Sequence, residues 1–296
     1  MSWVVWRQHH LEGAWALALA GLLMAMTGFV AYQLNATGCP GMVSGYCFTG
    51  EVGGQLALQL VRYNLFQYGL VVLPALAGAF IGCPLVAREI ENGTHRLVWT
   101  QGVTRLRWLS VKLVLIFVPL LALAAVAGAL EVTLVNRQGS QPNHWAVFDQ
   151  HAPVLVAATF LALALGVAAG AVIGKSVPAM AVTLVAFVVV RVGLAEIARP
   201  MYVAPLAYKS VDLNAYNGDV YPTAWWLDNP GYYDSAGHYL GTVGPGGYRG
   251  QAAYVLQHFQ PGDRFWTFQT IESAILTGLA VLLIGFTVYW VTRRIS

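Results

Sequence analysis

His144, Asp149 and His151 place three potential metal ligands between positions 144 and 151, in the run NHWAVFDQH. Imidazole and carboxylate are the donors a zinc site uses. Their spacing matches no strong zinc motif, however, and polar loops collect such residues anyway, so the reading is that they hold no metal. A second suggestive run, Gly166 to Ser176 (GVAAGAVIGKS), ends like a phosphate-binding loop. That motif needs glycine five positions before its Gly-Lys-Ser, and position 169 is alanine. It also belongs between a strand and a helix of a soluble sheet, whereas this run is apolar. No paired carboxylates or nucleophile–base set accompanies either run, so catalysis by this chain is not expected.

Three further charges fall inside apolar segments: Glu131, Arg191 and Glu196. Charges at membrane depth usually face a bundle interior or a water-filled path. Arg191 and Glu196 are therefore candidates for a substrate pathway, the alternative being that Arg191 pairs with a neighbouring carboxylate. Cys39 and Cys47 bracket a Pro/Gly turn and suggest a disulfide. A bridge over so short a loop contributes about 2–3 kcal/mol in the chain-entropy account. The most concentrated charge is in Arg88 to Gln101, REIENGTHRLVWTQ, which lies between two apolar runs and holds two acidic and two basic residues.

The elements that must carry these residues follow from composition. Of 296 residues, 57% are hydrophobic and 10% charged, against about 25% charged in soluble domains. The apolar residues come in blocks long enough to cross about 30 Å of hydrocarbon, which takes about 20 helical residues. They lack the alternation of barrel strands. An all-α integral membrane protein with one transmembrane domain over residues 1–296 is expected. Its six spans are expected near 14–32, 65–87, 108–135, 153–174, 178–198 and 267–291. A helix at the amino terminus, with Trp3, Trp6 and His10 on one side, reads as an interfacial segment.

Orientation follows from the basic residues. Arg7, Arg88, Arg96, Arg105, Arg107, Lys112, Lys175, Arg293 and Arg294 lie close to span ends on one side. Arg62, Arg137, Arg199, Lys209, Arg249 and Arg264 are diluted over longer loops at 33–64, 136–152 and 199–266. Both termini and the connector at 88–107 are therefore expected in the cytoplasm, and the net charge of +3 reflects topology rather than a nucleic-acid surface. The aromatic loop 199–266 exceeds what a connection needs and is expected to fold over the outer mouth of the bundle. In the fourth span Ala158, Ala162, Gly166, Gly170 and Gly174 recur every four residues, a face on which helix backbones can approach closely in lipid. The sequence leaves open whether that face packs within the chain or against a second copy.

Positive-side topology explains Arg88 and Arg96 but does not call for Glu89 and Glu91. The pattern Arg88-Glu89-x-Glu91-x-Gly93-Thr94, followed by an Arg-rich start to the next span, resembles permease subunits of ABC transporters. With Trp6-Arg7-Gln8-His9 near the start, it is similar to the six-span type-2 exporter class in a form familiar from actinobacteria. The resemblance implies a cytoplasmic coupling helix carrying Glu89, Glu91, Gly93, Thr94, His95 and Arg96 that docks on a separate ABC ATPase subunit. ATP and Mg would be bound by that subunit, and this chain would hold no cofactor. It further implies a second permease, the same or related, in a bacterial cell membrane, exporting an amphipathic or lipid-like solute. The rival readings are a non-transporting scaffold or sensor that recruits a cytoplasmic partner, and a membrane enzyme built on His144, Asp149 and His151.

Overall fold

A computed structural model describes residues 69–94, 104–136, 144–213, 221, 223–242 and 252–294. The expected interfacial helix, the first span at 14–32, Cys39, Cys47, His95 and Arg96 lie outside the described residues. Among the described residues five helices are long and apolar enough to cross a membrane. The protein is mostly helical and multi-pass. A bilayer leaves no water to satisfy a backbone, so continuously apolar segments of this length close their hydrogen bonds as helices.

Helix α1 spans Gly69–Glu91 and contains a π-helical turn at Gly78–Gly82. Helix α2 spans Arg105–Asn136 and carries Pro119 within it. A 3-10 turn, His144–Gln150, leads into α3, Ala152–Ile173. Helix α4, Ser176–Val192, continues as a π turn, Gly193–Ala198, and a 3-10 turn, Arg199–Met201. Helix α5 spans Phe265–Arg293. Relative to the expected boundaries, α1 runs on to Glu91 and α2 begins at Arg105. The connector between them is correspondingly shorter than the expected 88–107. The added turns form because their polar residues find partners across the bundle end, described below.

Helix α3 is the central element and packs on the other four. The span containing it is 67% buried, whereas those containing α2 and α4 are each 17% buried. Its small-residue face meets α1. A Cβ added at Gly166 would lie 2.1 Å from the Gly78 carbonyl oxygen, and one at Gly170 would lie 2.6 Å from that of Cys83. From the other side, a Cβ at Gly78 would lie 2.3 Å from the Ala162 carbonyl oxygen. Both backbones are in contact, so the face is used within the chain. Ala158 and Ala162 are buried along the same helix. Gly174 ends α3 at φ +66°, the left-handed conformation glycine adopts without steric cost.

The loop after α4 is not simply irregular and adds a small sheet to the otherwise helical architecture. It carries a small antiparallel sheet: β1 (Leu206–Ser210), β2 (Trp225–Trp226), β3 (Gly231–Tyr233), β4 (Tyr239–Thr242) and β5 (Tyr254–Gln260), in the order β1-β5-β3-β4 with β2 also on β5. In β5, Val255, Gln257 and Phe259 are buried and alternate with half-buried residues, as a strand with one covered face requires. In the β3–β4 turn the Asp234 carboxylate accepts from the backbone N–H groups of His238 and Ala236, each at 2.8 Å, and from the His238 ring at 2.9 Å. The His238 backbone bond, then its ring, holds the Asp234 carboxyl below its ordinary range.

The sheet is seated on the bundle by aromatic packing. Trp225 of β2 stacks on Trp145 with ring centroids 5.3 Å apart, and Trp145 in turn meets Phe148, Phe265 and Phe268. Gln260 and Arg264 donate to the carbonyls of Val203 and Ala204, at 2.7 and 2.9 Å. One end of the bundle thus carries the sheet. The other carries the end of α1 and the starts of α2 and α4.

Candidate functional site

At the connector end, helix α1 finishes with Arg88-Glu89-Ile90-Glu91, and the chain turns at Gly93, which has φ +69°. Glu89 points into the bundle, where its carboxylate accepts from Trp108 Nε1 at 3.0 Å and forms an ion pair with Lys112. Lys112 is 1% exposed and also donates to the Leu85 carbonyl at 3.2 Å. A buried ammonium is tolerated only with such partners. Its ring contact with Trp108, 4.6 Å from Nζ to the centroid, adds a cation–π attraction.

Glu91 lies on the exposed side of the same turn. Its Oε2 accepts from the backbone N–H of Ser176 at 3.0 Å and from the Ser176 hydroxyl at 2.9 Å. It therefore caps the first turn of α4 from another helix, where unsatisfied N–H groups and the positive end of the dipole favour a carboxylate. Arg105 at the start of α2 donates from Nη1 to the carbonyls of Val291 and Thr292, at 3.4 and 3.2 Å. Those are terminal carbonyls of α5, so a cation is the complementary group.

Both acidic residues that topology left unexplained thus have partners within the chain. Sequence reasoning missed those partners. It counted Lys112 only among the basic residues close to span ends, and Ser176 as the end of a phosphate-loop look-alike. The Gly-Lys-Ser run is in fact the turn between two membrane helices, with Gly174 closing α3 and Ser176 opening α4.

At the sheet end the expected pathway charges separate. Arg191 donates to Asp149 and to Glu272, both at 2.7 Å. Arg199 joins them, with Nε and Nη2 on Glu272 at 2.8 Å each and Nη2 also on Asp149. Its guanidinium carbon lies 4.1 Å from the Phe148 ring centroid. Two cations and two carboxylates make a neutral quartet, and Glu272 is fully buried in it. Four elements supply the members: the 3-10 turn before α3, the end of α4, the 3-10 turn after it, and α5. Glu196, grouped with Arg191 on sequence, is exposed and not part of this quartet. Glu272 was overlooked, although a lone carboxylate in the second turn of an apolar span is the same signal that picked out Arg191.

The three loop ligands also separate. His144 and His151 face each other, Nδ1 to Nε2 at 3.2 Å, with His151 edge-on to Phe265 at 4.7 Å. Asp149 turns instead to the two arginines. Among the described residues no group of three His, Cys, Asp or Glu side chains is placed to hold a metal ion. Glu131 of α2 is fully buried, and neither carboxylate oxygen has a hydrogen-bond partner among the described residues.

Comparison with curated proteins and with solved structures returned no match. A family model described as "ABC-2 membrane transporter related" matches residues 10–199. This range includes α1 to α4 and the connector with its Glu89, Glu91 and Arg105 contacts. The family points to a non-catalytic transport subunit of the cell membrane and implies an ABC ATPase as partner. With well over half its length matched, including the polar connector between two apolar spans, the chain belongs to the ABC-2 membrane transporter related family.

Proposed function

We propose that this chain is the transmembrane subunit of an ATP-driven exporter, and that its connector between α1 and α2 docks on a separate ATPase that binds ATP and Mg. The observation that carries the reading is the connector end itself. The turn at Asn92 and Gly93 follows the last turn of α1, which, like the first turn of α2, is braced against the rest of the bundle by charged side chains. A partner that moves this turn moves helices rather than a slack loop. His95 and Arg96 belong to the same docking segment, with Gly93 and Thr94. The positive-inside distribution of Lys and Arg puts this end, and both termini, in the cytoplasm. The amino-terminal run matching an additional span brings the membrane crossings to six.

Exposed apolar faces support a second permease and an amphipathic or lipid-like solute. On α2, Val114 and Val118 are each 59% exposed, and on α4 Val185 and Val189 are each 64% exposed. Each pair is four residues apart and so lies on one side of its helix. Such a face suits lipid, a second copy or an apolar solute, and offers no charge to a polar one. The neutral Arg191/Arg199/Asp149/Glu272 quartet agrees, because its charges compensate one another.

The test is purification of the chain from its native membrane with any bound ATPase, compared with the variant Asn92→Trp/Thr94→Trp. Both positions are exposed, so the membrane fold should persist. The expected result is a co-purifying ATPase whose apparent affinity falls at least tenfold in the variant, about 1.4 kcal/mol or more. A chain that carries no ATPase overturns the reading. One that binds ATPase yet moves no solute in vesicles leaves the scaffold reading in its place.

A further inference from the structure

The charged residues of the connector end divide by what they touch. We infer that Glu89, Glu91 and Arg105 are positioning residues that fasten the connector to α2, α4 and α5, while the exposed turn Asn92–Thr94 meets the partner. The inference rests on the reading of this end as the ATPase-facing surface, and it assigns different work to residues that sequence reasoning placed together on one docking face.

Glu89 cannot serve a partner and keep its present contacts, because its carboxylate is held by Trp108 and by the buried Lys112. Removing either member would strand the other charge in the bundle. Glu91 is exposed, but its bonds run sideways to the backbone and hydroxyl of Ser176, the first residue of α4. Arg105 reaches in the third direction, to the last carbonyls of α5. Three bonded links therefore leave one short region and end on three different helices. By contrast Asn92, Gly93 and Thr94 are exposed, and a Cβ added at Gly93 would meet nothing within 4 Å.

The packing decides which helices such links can move. Helices α1 and α3 are in backbone contact through Gly78, Gly82, Gly166 and Gly170, and close-packed contacts of this kind are not continuously deformable. Helices α2 and α4 are each only 17% buried along their most apolar stretch. They are held at the connector end by Glu89–Lys112 and Glu91–Ser176. Displacement of the last turn of α1 is thus delivered through Glu89 to α2, through Glu91 to α4 and, from Arg105 of α2, to α5, as tilt relative to the part of the α1–α3 pair that is in backbone contact. The links set the direction of that motion, since each is a hydrogen bond with a defined donor and acceptor.

The experiment uses the full chain with its ATPase in lipid nanodiscs, with fluorophores placed at Val177 and Arg293, both exposed. Their separation is read with and without ATP. In the native complex ATP should change it. Glu91→Ala removes the link to α4 at an exposed position. Glu89→Met/Lys112→Met removes the link to α2 while replacing a buried pair with apolar groups, so the fold survives. Each should lose at least half of the ATP-dependent change while binding the ATPase within threefold of native. A native-sized change in both variants, or no change in the native complex, overturns the inference. So does loss of ATPase binding in either variant as complete as in Asn92→Trp/Thr94→Trp, because these residues would then be docking residues. If the native chain captures no ATPase, the coupling reading fails first and this inference fails with it.

Discussion

Glu272 holds two guanidinium groups with one fully buried carboxylate, and Asp149 completes the balance. Charges inside an apolar bundle cost little only while they are paired and hydrogen-bonded. Glu272→Gln leaves an uncompensated cation between α4 and α5, and is expected to destabilise the protein by about 3–5 kcal/mol, the cost of breaking a buried pair. Glu196→Gln, at an exposed position five residues after Arg191, should change stability by about 0.5 kcal/mol or less. Thermal unfolding of both purified variants in the same detergent checks the contrast. Equal shifts would show that Arg191 depends on Glu196 as much as on Glu272. The existence of a costly charge at 191 was legible in the sequence. Its partners were not, because Asp149 and Glu272 lie 42 and 81 residues away along the chain and nothing local links them.

At the scale of elements, the spacing Ala158, Ala162, Gly166, Gly170, Gly174 announced a close helix contact, and the structure supplies its other half. The partner surface on α1 includes Gly78 and Gly82, which sit in a π turn. Gly166→Val should force α1 and α3 apart, since the added Cβ would fall 2.1 Å from a backbone oxygen that no rotamer change can move. Overpacking of this kind costs about 1–3 kcal/mol, and the backbone obstacle puts this site toward the upper end. Gly278→Ala is the control. It lies in α5 with nothing within 4 Å of an added Cβ, and alanine is the better helix former by about 1 kcal/mol. Thermal unfolding should therefore move in opposite directions for the two variants. The sheet shows where pattern reading ends. Its strands run from two to seven residues, and β1 pairs with β5 some fifty residues away, Leu206 opposite Phe259. Runs so short carry too little alternation to be separated from an aromatic loop, and only the long-range pairing makes them strands.

For the whole molecule, the bundle has two chemically different ends. One presents the connector and the exposed turn around Asn92, the other the sheet with its aromatic cover. Single cysteines introduced at Asn92 and Ala236, both exposed, should react with a membrane-impermeant thiol reagent from opposite sides of intact cells, Ala236→Cys from outside and Asn92→Cys only after lysis. Labelling of both from one side would overturn the proposed orientation.

What the sequence alone determined is what depends on local composition and spacing: membrane helices from apolar run length, and a small-residue face made for close contact. The family resemblance, too, rested on residues lying close together in the chain. What only tertiary structure decided is which groups are neighbours. Glu89 and Glu91 are two residues apart on one helix, yet one closes on Lys112 inside the bundle and the other caps α4 from outside. Arg191 and Glu196 look like companions in sequence and part company in space. The reason is common to both cases. Solvation of a residue's own segment is written in its neighbours along the chain, whereas the pairing of a charge depends on how distant helices are brought together. That is settled only when backbones touch, as α1 and α3 do at Gly78 and Gly166.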